Sequence, residues 1–184
     1  MQASHLTSAN KLFAYYKRIG EEAMAQVSEE KLFYEPNVDS NSIAVIVQHL
    51  AGNMLSRWTD FLTADGEKEW RNRDAEFETD ISGRKELMGL WNKGWQCLEF
   101  AMGSLTEEDL KKTIYIRNEG HTVLEAINRQ LAHYPYHIGQ IVFLAKMLHA
   151  EKWKSLSIPR NQSKEYNKQK FTQEKGDSFF TDKV

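Results

Sequence analysis

Thr122-Val-Leu-Glu-Ala-Ile-Asn-Arg-Gln-Leu-Ala-His-Tyr-Pro-Tyr-His-Ile-Gly-Gln-Ile-Val-Phe-Leu-Ala-Lys-Met-Leu-His149 is the stretch that decides the fold. Apolar residues recur along it at three- and four-residue steps, through Val123, Leu124, Ile127, Leu131, Ile138, Ile141, Val142, Ala145 and Leu148. That spacing lines one face of an α-helix. Thr122 followed three residues on by Glu125 is a capping box, in which each side chain satisfies a backbone N–H left free at the helix start. A helix is therefore predicted from Thr122 to about His149 or Ala150. Pro135 has no N–H to give to the Leu131 carbonyl and is expected to kink it.

Just before this helix, Lys112-Thr-Ile-Tyr-Ile-Arg117 alternates like a short strand and runs into Asn118-Glu-Gly120, so a small hairpin at most is expected there. A further helix is predicted from about Gly83 to Met102, burying Leu87, Leu90, Trp91, Trp95, Leu98 and Phe100 or Met102, although Gly94 inside it is a poor helix former. Another begins at the N-cap candidates of Asn37-Val-Asp-Ser-Asn41 and runs to about Thr63, with Ile43, Ile46, Val47, Leu50, Met54, Trp58, Phe61 and Leu62 on its apolar face. The first spans about Thr7 to Val27, with Leu6, Phe13, Tyr16, Ile19, Ala23 and Val27 as its stripe. Only three prolines occur in the chain, which favours long helices. Gly66 to Ser82 shows no period and reads as a long loop, of a length that often covers a site. The expectation is all-α, with residues 1–160 as one helical domain and 161–184 as a polar C-terminal tail.

The 24 Lys and Arg nearly balance 26 Asp and Glu, so no basic field exists to attract phosphate backbones, and Lys164, Lys168 and Lys170 read as a solvated tail. A nucleic-acid partner is not expected. The apolar run Ile43-Ala-Val-Ile-Val47 is far short of the roughly 20 residues that cross a bilayer, so no membrane partner is expected either. The single cysteine, Cys97, forms no internal disulfide, and MQASHLTSANKLF has neither the apolar core nor the cleavage site of a signal peptide. A reducing, cytoplasmic setting is expected.

His133 and His137, four residues apart, project from one helix face, their Cα atoms about 6 Å apart along the axis. Tyr134, Pro135 and Tyr136 lie between them, so the glutamate that serves as base beside the first histidine of a zincin is missing and metalloprotease chemistry is disfavoured. The pair reads either as two ligands of one metal ion or as hydrogen-bonded or surface histidines. His49, among Val45, Val47 and Leu50, is a candidate third ligand or else a satisfied core histidine. Arg129 and Gln140 stand one turn outside the pair, and Asn53 one turn after His49. Each reads as a substrate or supporting contact, or as structural: an ion pair for Arg129, and helix capping or bridging for Gln140 and Asn53.

Gln48-His-Leu-Ala-Gly-Asn53, together with Ala126 to Ile141 of the opening stretch, resembles the DinB-like superfamily, and within it the branch called DUF1572. The resemblance extends to Trp58–Phe61, Trp91 and Ser155-Leu-Ser-Ile-Pro-Arg160, and departs from the usual pattern at Pro135. It implies an up-and-down four-helix bundle whose second helix supplies one metal-binding histidine and whose last long helix supplies two, matching His49, His133 and His137. Three neutral imidazoles suit Zn2+ or Ni2+ best, with Mn2+, Fe2+ and Co2+ less favoured, and leave a coordination position open.

Relatives in that superfamily include thiol-dependent S-transferases, so analogy points to an enzyme in which the metal activates a low-molecular-weight thiol or water toward a small electrophilic substrate. The competing expectation is a non-catalytic metal- or ligand-binding stress protein. A homodimer is expected in either case.

Overall fold

The structure, a computed structural model, describes residues 4–78, 81–149, 152–176 and 179–182. It is mostly helical with one small hairpin. In chain order come α1 (His5–Ala25), the single turn α2 (Glu29–Leu32), α3 (Ile43–Trp58), α4 (Arg84–Gly103), β1 (Thr113–Ile116), β2 (Glu119–Thr122), α5 (Val123–His149) and α6 (Ser163–Phe171). Short 3-10 turns lie at Asp74–Phe77, Asp109–Lys111 and Phe180–Asp182. Ala150 and residues 79–80 of the expected loop lie outside the described residues.

α3 is buried on nearly every side, as its almost uninterrupted apolar start suits. It packs along α4 and also against α5 and the Asp74–Phe77 turn, while α1 packs along α5 and touches α4. Gly94 explains itself here. A Cβ at that position would stand 2.9 Å from the Ala51 Cα, so glycine is what lets the backbones of α3 and α4 close in. Caps fix the helix starts: Ser42 Oγ accepts from the Val45 N–H at 3.3 Å. The Thr122 box forms as expected, the Thr122 N–H donating to Glu125 Oε2 at 2.8 Å and the Glu125 N–H to Thr122 Oγ1 at 3.1 Å.

α3 stops at Trp58, five residues before the expected Thr63. Thr59 turns to an extended ψ and Asp60 takes a φ of 48°, a left-handed conformation that aspartate tolerates well. The Asp60 carbonyl then accepts from the Thr63 and Ala64 N–H groups, so Phe61 still enters the core while Leu62 is exposed. On α4, Met102 faces inward and Phe100 is 83% exposed. The tail is not featureless: residues 163–171 form α6, and Phe180 meets Tyr15 of α1 edge-on at 5.1 Å.

The β1–β2 turn is made by Arg117 and Asn118, both at positive φ (56° and 61°), the two-residue hairpin geometry whose twist matches the strands. The Asp65 carboxylate accepts both of their N–H groups at 2.8 Å, and the Gly66 N–H donates to the Tyr115 carbonyl at 2.8 Å. The segment after α3 thereby pins the hairpin, with Ile114 and Ile116 turned into the core.

Candidate metal centre

His49 sits mid-way along α3, and His133 and His137 are one turn apart on α5. Helix α5 is continuous through Pro135, and both histidines stay on one face. Nε2 of His133 lies 3.4 Å from that of His49 and 3.1 Å from that of His137. One nitrogen from each ring falls within 4.8 Å of the others.

The second nitrogen of every ring is occupied. His49 Nδ1 lies 2.9 Å from Glu76 Oε2, His133 Nδ1 3.1 Å from Gln130 Oε1, and His137 Nδ1 2.9 Å from Gln140 Oε1. A carboxylate and two amide oxygens only accept, so each ring places its proton on Nδ1 and presents a bare Nε2 lone pair. Three lone pairs aimed into one space repel unless a cation lies among them. Ligands around a tetrahedral zinc, with Zn–N bonds of ~2.0–2.1 Å, stand about 3.3 Å apart; the two separations from His133 bracket that value, and the ligand nitrogens of His49 and His137 lie within 4.8 Å of each other. The donor set therefore fits a divalent ion.

Burial, then the neighbouring His137 and His49 and the more distant Arg129 and Arg57, push the His133 pKa down from 6.5 to about 3. Burial lowers His137 in the same direction. The folded chain refuses a proton at His133 that the unfolded chain accepts below pH 6.5. Stability of metal-free protein should therefore fall as pH drops from about 6.5 toward 3. Denaturant melts across this window should show a shallower fall for His133→Ala than for wild type; equal slopes would contradict the assignment.

Glu76 belongs to the 3-10 turn of the long loop and is itself buried. Burial alone would raise its pKa, but hydrogen bonds from His49 and Arg71 outweigh it and hold the carboxyl below its ordinary range. Arg71 grips it with two prongs, Nε to Oε1 at 2.7 Å and Nη2 to Oε2 at 3.0 Å. The loop is tied down as Gln48 Nε2 donates to the Ala75 and Glu78 carbonyls at 2.8 and 3.1 Å, and Phe77 stacks on the His49 ring at 5.2 Å. A cavity of about 490 Å³ opens from the three imidazoles. A larger hollow of about 630 Å³ is walled by Tyr136, Phe143 and Met147, with Asp39 the one charged residue of its lining among the described residues.

A family model described as "Protein of unknown function (DUF1572)" matches residues 1–162. The chain belongs to the DUF1572 family. No curated protein and no solved structure matches it. In this DUF1572 chain the expected supporting residues divide. Gln140 holds His137. Asn53 lines the cavity and also bridges helices: Trp58 Nε1 donates to the buried Tyr134 hydroxyl at 2.9 Å, which donates to Asn53 Oδ1 at 3.2 Å. Arg129 is exposed at the cavity and makes no ion pair among the described residues, so the structural role weighed for it is not seen.

Gln130, Glu76 and Arg71 are residues of the candidate site that sequence reasoning missed. Gln130 was legible, three residues before His133 on the same face. For Glu76 the one available signal was chemical: a ligating histidine usually hands its second N–H to a carboxylate.

Proposed function

We propose that this DUF1572 protein is a divalent-metal protein of the DinB-like type, an up-and-down four-helix bundle in which His49, His133 and His137 hold one ion, Zn2+ or Ni2+. We further propose that it is an enzyme acting on a small electrophile with a low-molecular-weight thiol or water. The observation that supports this best is the set of three Nε2 atoms facing one another with every Nδ1 engaged by an acceptor. A divalent ion would supply Lewis acidity there and acidify a thiol or water at its open position.

The chain's own residues do the rest. Glu76, Gln130 and Gln140 fix the tautomer and aim of the rings. Phe77 and its turn shield His49 from solvent, and the cavity gives a small molecule room beside the imidazoles.

Element-resolved analysis of purified wild type should find about one zinc or nickel per chain, lost in each of His49→Ala, His133→Ala and His137→Ala. Metal retained in any one folded variant would break the three-histidine arrangement. Metal-loaded protein should consume an electrophile such as a chloronitrobenzene in the presence of a small thiol, and chelator-treated protein should not.

A second reading, a non-catalytic dimeric binder, draws support from Tyr136, Phe143 and Met147, exposed at seven- and four-residue steps on α5. It predicts a metal-dependent rise in Tm with no turnover.

A further inference from the structure

Five arginines, Arg57, Arg71, Arg73, Arg117 and Arg129, line the cavity that the imidazoles open into. Three have evident occupations. Arg71 grips Glu76 and reaches Glu67 at 3.0 Å. Arg73 lies over the Phe77 ring at 5.3 Å. Arg117, on the pinned hairpin turn, stands 3.5 Å from Glu67 Oε2.

Arg57 is different. It is 5% exposed, yet its Nε and Nη1 are buried without a hydrogen-bond partner among the described residues. The carboxylate oxygen paired with it, Glu67 Oε2, is 4.0 Å from Nη2 and already shared with Arg71 and Arg117. A guanidinium removed from water with orphaned donors is costly until an acceptor reaches it. Arg129, one turn before His133, is exposed at the same cavity and makes no ion pair among the described residues, so it adds a second uncommitted charge. The five arginines thus outnumber Glu119, the acidic residue of the same lining, and the three imidazoles line that cavity too.

We infer that the cavity takes a small molecule bearing an oxyanion group, a carboxylate or phosphate, which Arg57 and Arg129 hold while the remainder of the molecule lies toward His49, His133 and His137. A planar guanidinium offers paired N–H donors matched to two oxygens of either group, which a lone ammonium would not. The inference rests on the proposed enzymatic reading for what becomes of the molecule, whereas its capture depends on the arginines.

The test is calorimetric titration of the full chain with inorganic phosphate and with succinate, chelator-treated and zinc-loaded, with zinc content measured in every sample. Wild type should bind at least one probe saturably without zinc, and the tighter probe identifies the group. Arg57→Met and Arg129→Ala should each weaken that binding roughly tenfold or more, with Arg57→Lys in between. Arg129→Ala removes an exposed side chain with no ion pair among the described residues, so it keeps the test decisive if the Arg57 variants do not fold. Absence of saturable binding, or wild-type affinity in folded variants of both arginines, would overturn the inference. So would binding that needs zinc and ignores Arg129→Ala, because that places the anion on the metal. Zinc absent throughout with phosphate binding intact would remove the metal reading alone; zinc present with no anion bound would remove the arginine site alone.

Discussion

Glu76→Gln is expected to weaken divalent-metal binding by about 10–100-fold while the chain stays folded. Glu76 is the acceptor that keeps the His49 proton on Nδ1, and its negative charge makes the opposite nitrogen a stronger donor. Glutamine keeps the size but not the charge. Its amide must also offer an N–H where Arg71 now donates to the second oxygen, so the two-pronged grip from Arg71 fails on one side. Gly52 supplies an independent route to the same effect: a Cβ on it would collide with the Glu76 carboxylate. Gly52→Ala should therefore lower metal affinity by moving the acid without touching a ligand. Competition against a chromogenic chelator reads both variants, and wild-type affinity in Glu76→Gln would show that the carboxylate has no hold on the site.

That carboxylate also marks the limit of what the sequence discloses. The four long helices are readable because each repeats a strong apolar period, and the last also begins at the legible Thr122 box, whereas the caps at Ser4 and Ser42 differ from the starts read at about Thr7 and at Asn37–Asn41. His133 and His137 are readable as a pair because one helix fixes their spacing. Their meeting with His49 is not, because it depends on how α3 and α5 pack, and no local pattern encodes that. Glu76 is harder still. It lies in a loop with no period, 27 residues from the histidine it supports, and a single 3-10 turn held by Gln48 brings it there. The misplaced end of α3 has the same origin: Phe61 continues the apolar pattern past Trp58, while a left-handed Asp60 has already ended the helix.

Gly94→Ala is expected to destabilise the fold by about 1–3 kcal/mol, although alanine is the better helix former by about 1 kcal/mol. The added methyl would lie 2.9 Å from the Ala51 Cα and 3.3 Å from Met54 Sδ. A side chain can swing away from such a contact, but the Ala51 backbone in mid-helix cannot, so α3 and α4 must separate. Gly89 provides the control. It lies on the same helix with nothing within 4 Å of a Cβ, so Gly89→Ala should raise stability through propensity alone. Denaturant unfolding of the two variants gives opposite signs if the close approach exists and the same sign if it does not. Ala51 stands two residues from both His49 and Asn53 on α3, so the separation that relieves the clash also moves the helix that carries the α3 histidine. Gly94→Ala should accordingly bind divalent metal more weakly than Gly89→Ala, linking a packing contact between two helices to the geometry of the three imidazoles.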